Sequence, residues 1–390
     1  MPQGKYVFVQ LMELVSQYEF NKCVSRYKGN SNLVHFKCRQ QFLCMAFGQL
    51  SYRESIRDIF ICLNAHEKKV YHLGLKKLAD HTTLTRANKN RDWRIWADLA
   101  KHLISVARPL YINDNDFTLD LDNTVYALDA STIDLCLSVF KWAKFRKKKG
   151  AIKLHTLMDL RGNIPVFIDI TDGKVHDVKV LDKIDFEPGA FYIIDKGYYD
   201  FTRLFRINTS AAFFVIRAKN NLTCRRIYSK KVDKKTGLKY DQIIKLTNYK
   251  SQKDYPDKLR RIKYYDAEKA KTYIFLTNNF QLDALTITKL YKNRWQIELF
   301  FKWIKQHLKI KKFWGQSENA VKTQVWIAVC TYLIVAIFKK QLKIELSLYN
   351  ILQILSVSLF DKTPVNQLFT STDLHSKDNS VHNQLKMFEL

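Results

Sequence analysis

Residues 291–305 have the sequence YKNRWQIELFFKWIK, which predicts the centre of an amphipathic helix over about 282–308. At roughly 100° per residue, one helix face of about 80° carries a phenol, one acid and three cations. These side chains are Tyr291, Arg294, Glu298, Lys302 and Lys305. An adjacent apolar face of about 100° would pack on a core. A solvated face needs no such segregation, although Glu298 and Lys302 also form an ordinary i,i+4 pair worth about 0.3 kcal/mol.

Two upstream segments are predicted strands that each end in an aspartate. YAL at 126–128 precedes Asp129, and YII at 192–194 precedes Asp195. Short apolar runs suit central strands that are covered on both faces, and open α/β sheets bind ligands at the carboxyl ends of their strands. Similar patterns predict further strands at 152–160, 165–170, 211–216 and 273–276. The sequence therefore predicts an α/β fold with two aspartates at the carboxyl ends of its strands.

A site made from these three carboxylates would need cations. Close carboxylates repel by several kcal/mol per pair at an effective dielectric constant of about 20. Oxygen ligands without histidine or thiolate select Mg²⁺ or Mn²⁺. Two such ions about 4 Å apart, held by Asp129, Asp195 and Glu298, could activate a water and stabilise the leaving 3′ oxygen of a phosphodiester. This requires the carboxylates to lie within about 10 Å of one another.

His155 falls within one of the predicted strands, near these acids. We interpret it as a structural histidine, with a supporting role at the acidic site as the alternative.

The composition indicates a folded and strongly basic protein. Of the 390 residues, 47% are hydrophobic, which excludes a mainly disordered chain. The 65 Lys and Arg residues against 37 Asp and Glu residues give a net charge of +28, which favours nucleic acid as the partner. The apolar run 325–338 is shorter than the roughly 20 residues that span a bilayer, so it predicts a core helix and no membrane segment. The cysteines form no C-x-x-C pair and no signal peptide is recognised, so we expect a cytoplasmic protein.

The sequence pattern divides the chain into three parts. Residues 1–115 are predicted to form a helical domain that binds DNA and ends at a turn-forming acidic cluster. Residues 116–315 carry the strands and the acids, with a basic, β-rich insertion at about 220–281. Residues 316–390 are predicted to form a helical region and a polar tail.

A donor-rich stretch at 83–91 leads into the amphipathic helix that contains Trp93, Trp96 and Leu99. Arg and Asn pair naturally with guanine and adenine edges, so this stretch could be the recognition element of a helix-turn-helix. Its polar side chains are Thr83, Thr85, Arg86, Asn88, Lys89 and Arg91. A solvated helix face predicts the same pattern, and both interpretations stay open.

Three ordered motifs resemble those of the insertion-sequence-four family of DDE transposases. The characteristic box of that family, Y-x2-R-x3-E-x6-K, is matched at every position by Tyr291, Arg294, Glu298 and Lys305. The segments YALDAST at 126–132 and YIIDKGY at 192–198 resemble its two upstream acidic motifs. The first hundred residues also resemble the small helical domain that precedes the catalytic core in one branch of the family.

This resemblance implies an RNase H-like core interrupted by a β-rich insertion. It implies that Asp129, Asp195 and Glu298 are the catalytic, metal-binding triad, loaded with Mg²⁺ or Mn²⁺. It also implies DNA-phosphate contacts from Arg217, Tyr291, Arg294, Lys302 and Lys305. Relatives stack a flipped base on a tryptophan of the insertion, but no Trp occurs between Asp195 and Arg294 here. The aromatic candidates for that stacking are Tyr264, Tyr265 and Tyr273.

The resemblance further implies a DNA transposase that binds terminal inverted repeats, cleaves at the element ends and joins the 3′ hydroxyls to target DNA. Its partners would be double-stranded end and target DNA and a second copy of the chain in the synaptic complex. One alternative is an inactive or domesticated relative that only binds DNA. A stand-alone RNase H-like nuclease or resolvase is a third hypothesis.

Overall fold

The computed structural model describes residues 4–75, 78–112, 121, 123–146, 149–308, 310 and 312–370. The chain divides into two compact units, a helical unit of Met1–Leu110 with Trp303–Leu390 and a sheet unit of Tyr111–Lys302. The acidic cluster at 113–116, Lys147, Lys148 and the tail beyond 370 lie outside the described residues. The division into 1–115, 116–315 and 316–390 stays a prediction.

The helices and strands are numbered in chain order. The described α-helices are α1 Val7–Met12, α2 Gln17–Arg26, α3 Cys38–Leu50, α4 Ile56–Ala65, α5 Glu67–Val70, α6 His81–Asn90, α7 Arg94–Leu110, α8 Phe201–Thr209, α9 Tyr249–Asp254, α10 Ala284–Lys292, α11 Gln296–His307, α12 Glu318–Gln341, α13 Leu348–Ser358 and α14 Val365–Thr370. The described strands are β1 Val125–Leu135, β2 Lys144–Arg146, β3 Lys149–Asp159, β4 Ile164–Asp172, β5 Phe191–Ile194, β6 Phe213–Arg217, β7 Cys224–Lys230, β8 Leu238–Leu246, β9 Leu259–Asp266 and β10 Lys271–Thr277.

The helical unit is built around α12. Its side chains from Ala320 to Phe338 are almost all buried, and it packs against α3, α6 and α7. By length and hydropathy alone α12 could cross a membrane, but 94% of its most apolar window is buried inside the protein. The prediction of a core helix at 325–338 is therefore confirmed.

A buried polar network removes two residues of 83–91 from the candidate base readers. Residues 83–90 lie in α6 and Arg91 directly follows it, and both Asn88 and Arg91 are buried. Gln41 donates to Asn88 at 2.8 Å and accepts from Arg91 at 2.9 Å. The Asn319 amide donates to the Asn88 backbone carbonyl at 2.9 Å. Asn88 and Arg91 therefore hold the helices together, because buried polar groups need hydrogen-bond partners, whereas Arg86 and other polar residues of α6 remain exposed.

The described strands of the sheet unit form one ten-stranded sheet. Its order is β2-β3-β1-β5-β6-β10-β9-β8-β7, with β4 also paired to β3. β1, β3 and β4 are antiparallel neighbours, whereas β1, β5 and β6 run parallel. These five strands, with α8 and α10 as accompanying helices, form the RNase H-like core that was predicted. The predicted insertion supplies β7 to β10, and they continue the same sheet because β10 pairs with β6.

The predicted single helix over 282–308 is wrong at one point. A 3₁₀ turn over Asn293–Trp295 separates α10 from α11. The side-chain amide of Asn293 donates to the Lys289 backbone carbonyl at 3.2 Å. It therefore competes with backbone N–H groups for an acceptor in the preceding helical turn. Periodicity cannot reveal such a break, since a 3₁₀ turn hardly disturbs the spacing of the faces.

His155 lies fully buried in β3, between the Tyr198 hydroxyl at 3.0 Å and the Thr171 hydroxyl at 2.9 Å. Burial lowers the pKa of His155 to about 4, with Asp177 and Asp169 opposing that shift. This supports its interpretation as a neutral structural histidine.

We expect acid to destabilise the sheet unit through His155. The unfolded chain takes up this proton near pH 6.5, but the folded protein only near pH 4, so stability falls as the pH drops between these values. The loss should approach about 3 kcal/mol. A His155→Gln variant should lose much of this slope in urea denaturation between pH 7 and pH 4, whereas exposed His176→Gln should retain it. An unchanged slope in His155→Gln would contradict the assignment.

Candidate active site

The two predicted aspartates come from adjacent parallel strands. β1 and β5 pair with Leu128 opposite Ile194, and the Asp195 amide donates to the Leu128 carbonyl. Asp129 follows within β1, and its Oδ1 accepts from the Ala130 amide at 2.7 Å. Asp195 follows the last residue of β5 and caps a short 3₁₀ turn. The sheet register therefore places the two carboxyl groups side by side, on the same side of the sheet unit.

Arg294 connects the third predicted acid, Glu298, to the two aspartates. Its Nη1 donates to Asp129 Oδ2, and its Nη2 donates to Glu298 Oε1 at 2.7 Å. The same Nη2 lies 3.9 Å from Asp195 Oδ1. Arg294 sits in the 3₁₀ turn and Glu298 in the first turn of α11, so the helix break sets how the guanidinium reaches the strands.

The separation of the carboxylates satisfies the condition set by the two-ion hypothesis. Asp195 Oδ1 and Glu298 Oε1 lie near one nitrogen, so they are at most 6.6 Å apart, the sum of those two distances. Asp129 contacts the other terminal nitrogen of the same guanidinium. All three acids therefore fall inside the limit of about 10 Å that two bridging ions would impose.

The surroundings of Asp129 disfavour its negative charge. Burial raises the pKa of Asp129 to about 6, and Asp195 and Glu298 add to that rise, although Arg294 and a backbone hydrogen bond oppose it. Burial alone would lower the pKa of Arg294, but Asp129, Tyr291 and Asp195 raise it above its ordinary value. The guanidinium is thus held firmly charged among acids that need a cation.

Tyr291 lies beside the Arg294 guanidinium, and Arg217 lies near enough to influence the same phenol. The Tyr291 ring is buried against Phe275, with ring centroids 4.8 Å apart. Burial raises the pKa of Tyr291 to about 12, although Arg294 and Arg217 lower it. Both Tyr291 Oη and Arg294 Nε are buried, and within the described part of the chain neither has a hydrogen-bond partner of good geometry. Two unsatisfied donors next to two cations would suit an anionic oxygen.

The remaining predicted DNA contacts lie farther along α11. Lys302 is one turn beyond Glu298 and its side chain is exposed. Lys305 lies in the part of α11 that belongs to the helical unit. Their roles stay predictions. Among the candidate stacking tyrosines, the Tyr273 ring centroid lies 5.0 Å from the Arg217 guanidinium carbon. Tyr265 is partly exposed to solvent, and the Lys239 ammonium lies 5.4 Å from its ring centroid.

Asp177 is a neighbour of the site that sequence patterns do not single out. Its Oδ1 accepts from Lys153 at 2.8 Å. A Cβ placed on Gly197 would lie 3.3 Å from Asp177 Oδ2 and 3.5 Å from Asp195 Oδ2. The glycine therefore leaves room for two carboxylates side by side. The Gly of the YIIDKGY segment is the only sequence signal for this arrangement, because Asp177 and Lys153 are far from Asp195 in the chain.

The donor set fits a hard divalent cation. The three acids offer carboxylate oxygens, and oxygen ligands of this kind select Mg²⁺ or Mn²⁺. Over the described residues, no group of three or more His, Cys, Asp or Glu side chains has the geometry of a metal site as it stands. The Arg294 guanidinium lies among the carboxylates and balances their charge instead.

Fold and site together define the class of this protein. A mixed RNase H-like sheet carries one carboxyl group within β1 and one directly after the neighbouring parallel strand β5, with a third on a following helix. A family model described as "Transposase DDE domain" matches residues 120–334, and the chain belongs to this family. The resemblance to insertion-sequence-four transposases is thereby confirmed. A second match, to a domain of unknown function designated DUF4372, covers residues 3–76 of the helical unit.

The chain is also similar to several bacterial proteins. It is 33% identical over 228 residues to "Putative transposase y4zB" of Sinorhizobium fredii, covering 57% of this chain and 64% of that protein. It is 24% identical to "Probable transposase for insertion sequence element IS5377" of Geobacillus stearothermophilus, covering 64% of this chain and 67% of the relative. It is 24% identical to "Putative transposase for insertion sequence element IS4SA" of Synechocystis, covering 72% and 75%. The chain thus spans just under two thirds of the first relative's length.

Proposed function

We propose that this chain is the DNA transposase of an insertion sequence. It binds the terminal inverted repeats of its element, cuts at the element ends and joins the freed 3′ hydroxyls to target DNA. One observation supports the proposal above all others. Asp129, Asp195 and Glu298 lie around the Arg294 guanidinium, next to two central strands of an RNase H-like sheet. The names of the similar bacterial proteins support the same activity.

Each site residue has a proposed task. Asp129, Asp195 and Glu298 hold Mg²⁺ or Mn²⁺. When bound, these ions activate a water and stabilise the leaving 3′ oxygen. Arg217, Tyr291 and Arg294 bind the phosphate next to the cut, because Tyr291 Oη and Arg294 Nε are buried donors that make no hydrogen bond of good geometry with any residue that the structure describes. Lys302 and Lys305 extend the phosphate contacts along α11.

The wider assignment follows from charge and from the need to bring two ends together. A net charge of +28 suits binding to double-stranded DNA, with an affinity that falls steeply as salt rises. Residues 1–115 are proposed to bind end DNA, and residues 316–390 to complete the helical region. Joining two ends calls for a homodimer in the synaptic complex. The protein is proposed to act in the cytoplasm, on bacterial DNA.

The proposal is tested with purified protein and a plasmid that carries both element ends. We expect Mg²⁺-dependent cuts at the ends, 3′-hydroxyl products and their transfer to a second plasmid, all lost on chelation of the metal. A plasmid with scrambled ends should remain intact. Equal cutting of both plasmids without strand transfer would instead support the nuclease or resolvase hypothesis, and end binding without any cutting would support a binding-only relative.

A further inference from the structure

We propose that Arg294 couples the binding of divalent metal to the binding of DNA. When neither metal nor DNA is bound, its guanidinium holds the three carboxylates together. When metal ions bind to these carboxylates, the guanidinium moves to a DNA phosphate. This inference rests on the proposed function for the identity of its ligands, and it concerns how that site is regulated.

The first step is the place that Arg294 occupies. Its two terminal nitrogens contact Asp129 and Glu298 directly and lie 3.9 Å from Asp195. The Arg294 and Asp129 side chains are only 13% and 17% exposed, so their contact is made largely out of water, where it is strong, whereas Glu298 is 55% exposed. A metal ion cannot use the same carboxylate oxygens while a cation lies between them.

The second step is a place for a phosphate beside the guanidinium. The Arg294 guanidinium carbon lies 5.8 Å from the Tyr291 ring centroid, and within the described residues neither Arg294 Nε nor Tyr291 Oη makes a hydrogen bond of good geometry. Arg217 lies near enough to influence the Tyr291 phenol. A phosphate oxygen in this place would satisfy both donors and meet a second guanidinium. Arg294 also lies in the 3₁₀ turn between α10 and α11, and such mid-helix turns often mark a hinge.

The third step is thermodynamic. A ligand shifts a conformational equilibrium only if it binds the two states differently. Metal ions favour the state in which Arg294 has left the acids, and a phosphate beside Tyr291 favours the same state because it offers the guanidinium another anion. Both ligands therefore favour the same state, and each must raise the affinity of the other by the same factor.

The experiment measures Mn²⁺ affinity by calorimetry, without DNA and with a pre-cleaved duplex that ends at the element's 3′ hydroxyl. Without DNA, Arg294→Gln should bind Mn²⁺ about 10-fold more tightly than wild type. Adding the duplex should tighten Mn²⁺ binding to wild type by a similar factor, and should change the variant little. Arg294→Lys keeps the charge but cannot bridge three acids, so it should fall between them.

Two controls separate this coupling from other effects. Arg226→Gln removes a positive charge from exposed strand β7 and should bind Mn²⁺ like wild type. Asp129→Asn should abolish tight Mn²⁺ binding in the Arg294→Gln background, which assigns the ion to this site. Equal Mn²⁺ affinity of wild type and Arg294→Gln without DNA overturns the coupling, even if end cleavage is intact. Failure of end cleavage with the predicted affinities in place would instead reject the proposed function.

Discussion

The Glu298→Gln protein should bind end-containing DNA normally but cut it at least about 1000-fold more slowly than wild type in Mg²⁺. Metal-based stabilisation of a transition state is worth several kcal/mol, and each 1.36 kcal/mol is a factor of ten in rate. Glutamine retains an oxygen that accepts from Arg294, 2.7 Å away in the native pair, so the local fold should persist. Gel shifts and timed cleavage of labelled ends give the two measurements.

A matched control exists for this substitution. Glu318, in the first turn of α12, forms an i,i+4 ion pair with Lys322 at 2.5 Å and is about as exposed as Glu298. Glu318→Gln therefore removes the same charge from the same kind of pair, and should cut DNA at the wild-type rate. Cleavage by Glu298→Gln at the rate of this control would remove Glu298 from the proposed triad.

The second large effect is expected in the insertion, at a buried ion pair. Arg260 donates to both oxygens of Asp241 at 2.8 Å, and both side chains are almost fully buried. Asp241→Ala leaves the guanidinium charged and unpaired, which should lower the free energy of unfolding by about 3–5 kcal/mol. Urea denaturation followed by circular dichroism would measure it.

The same pair connects the insertion to the helix of the site. Arg260 Nη1 also donates to the Leu282 carbonyl at 2.5 Å, immediately before α10 begins. Loss of Asp241 should therefore also disturb the placement of Arg294. Glu268→Gln breaks an exposed pair with Lys292 in the same region and should cost less than about 1 kcal/mol. Equal losses in the two variants would mean that the buried pair contributes little.

The core strands and the acids could be predicted because their signals are local. The apolar run ending at Asp195 coincides with β5, since a central strand must be apolar on both faces. The acids were recognised through short motifs whose chemistry needs carboxylates in that order. The placement of the two aspartates side by side then depends on β1 and β5 being neighbours.

The remaining features depend on partners that are distant in sequence. Asn88 and Arg91 were candidates for base contacts, but Gln41 and Asn319 bury them in the helical unit. The role of Arg294 as a bridge depends on β1, β5 and a break between two helices, none of which a helical wheel displays. Pairing over such separations is a property of packing and leaves no periodic signal.

The continuity of the sheet from β6 into β10 makes the insertion structurally inseparable from the catalytic core. A shortened protein without residues 220–281 would leave β6 as a bare edge, with the buried side chains of Val215 and Ile216 beside unpaired backbone groups. Exposed edges of this kind recruit strands from other molecules. The native chain instead ends its sheet at β7, where Arg225 and Arg226 are exposed. Removal of the insertion would therefore expose an apolar strand edge that β10 covers in the complete sheet.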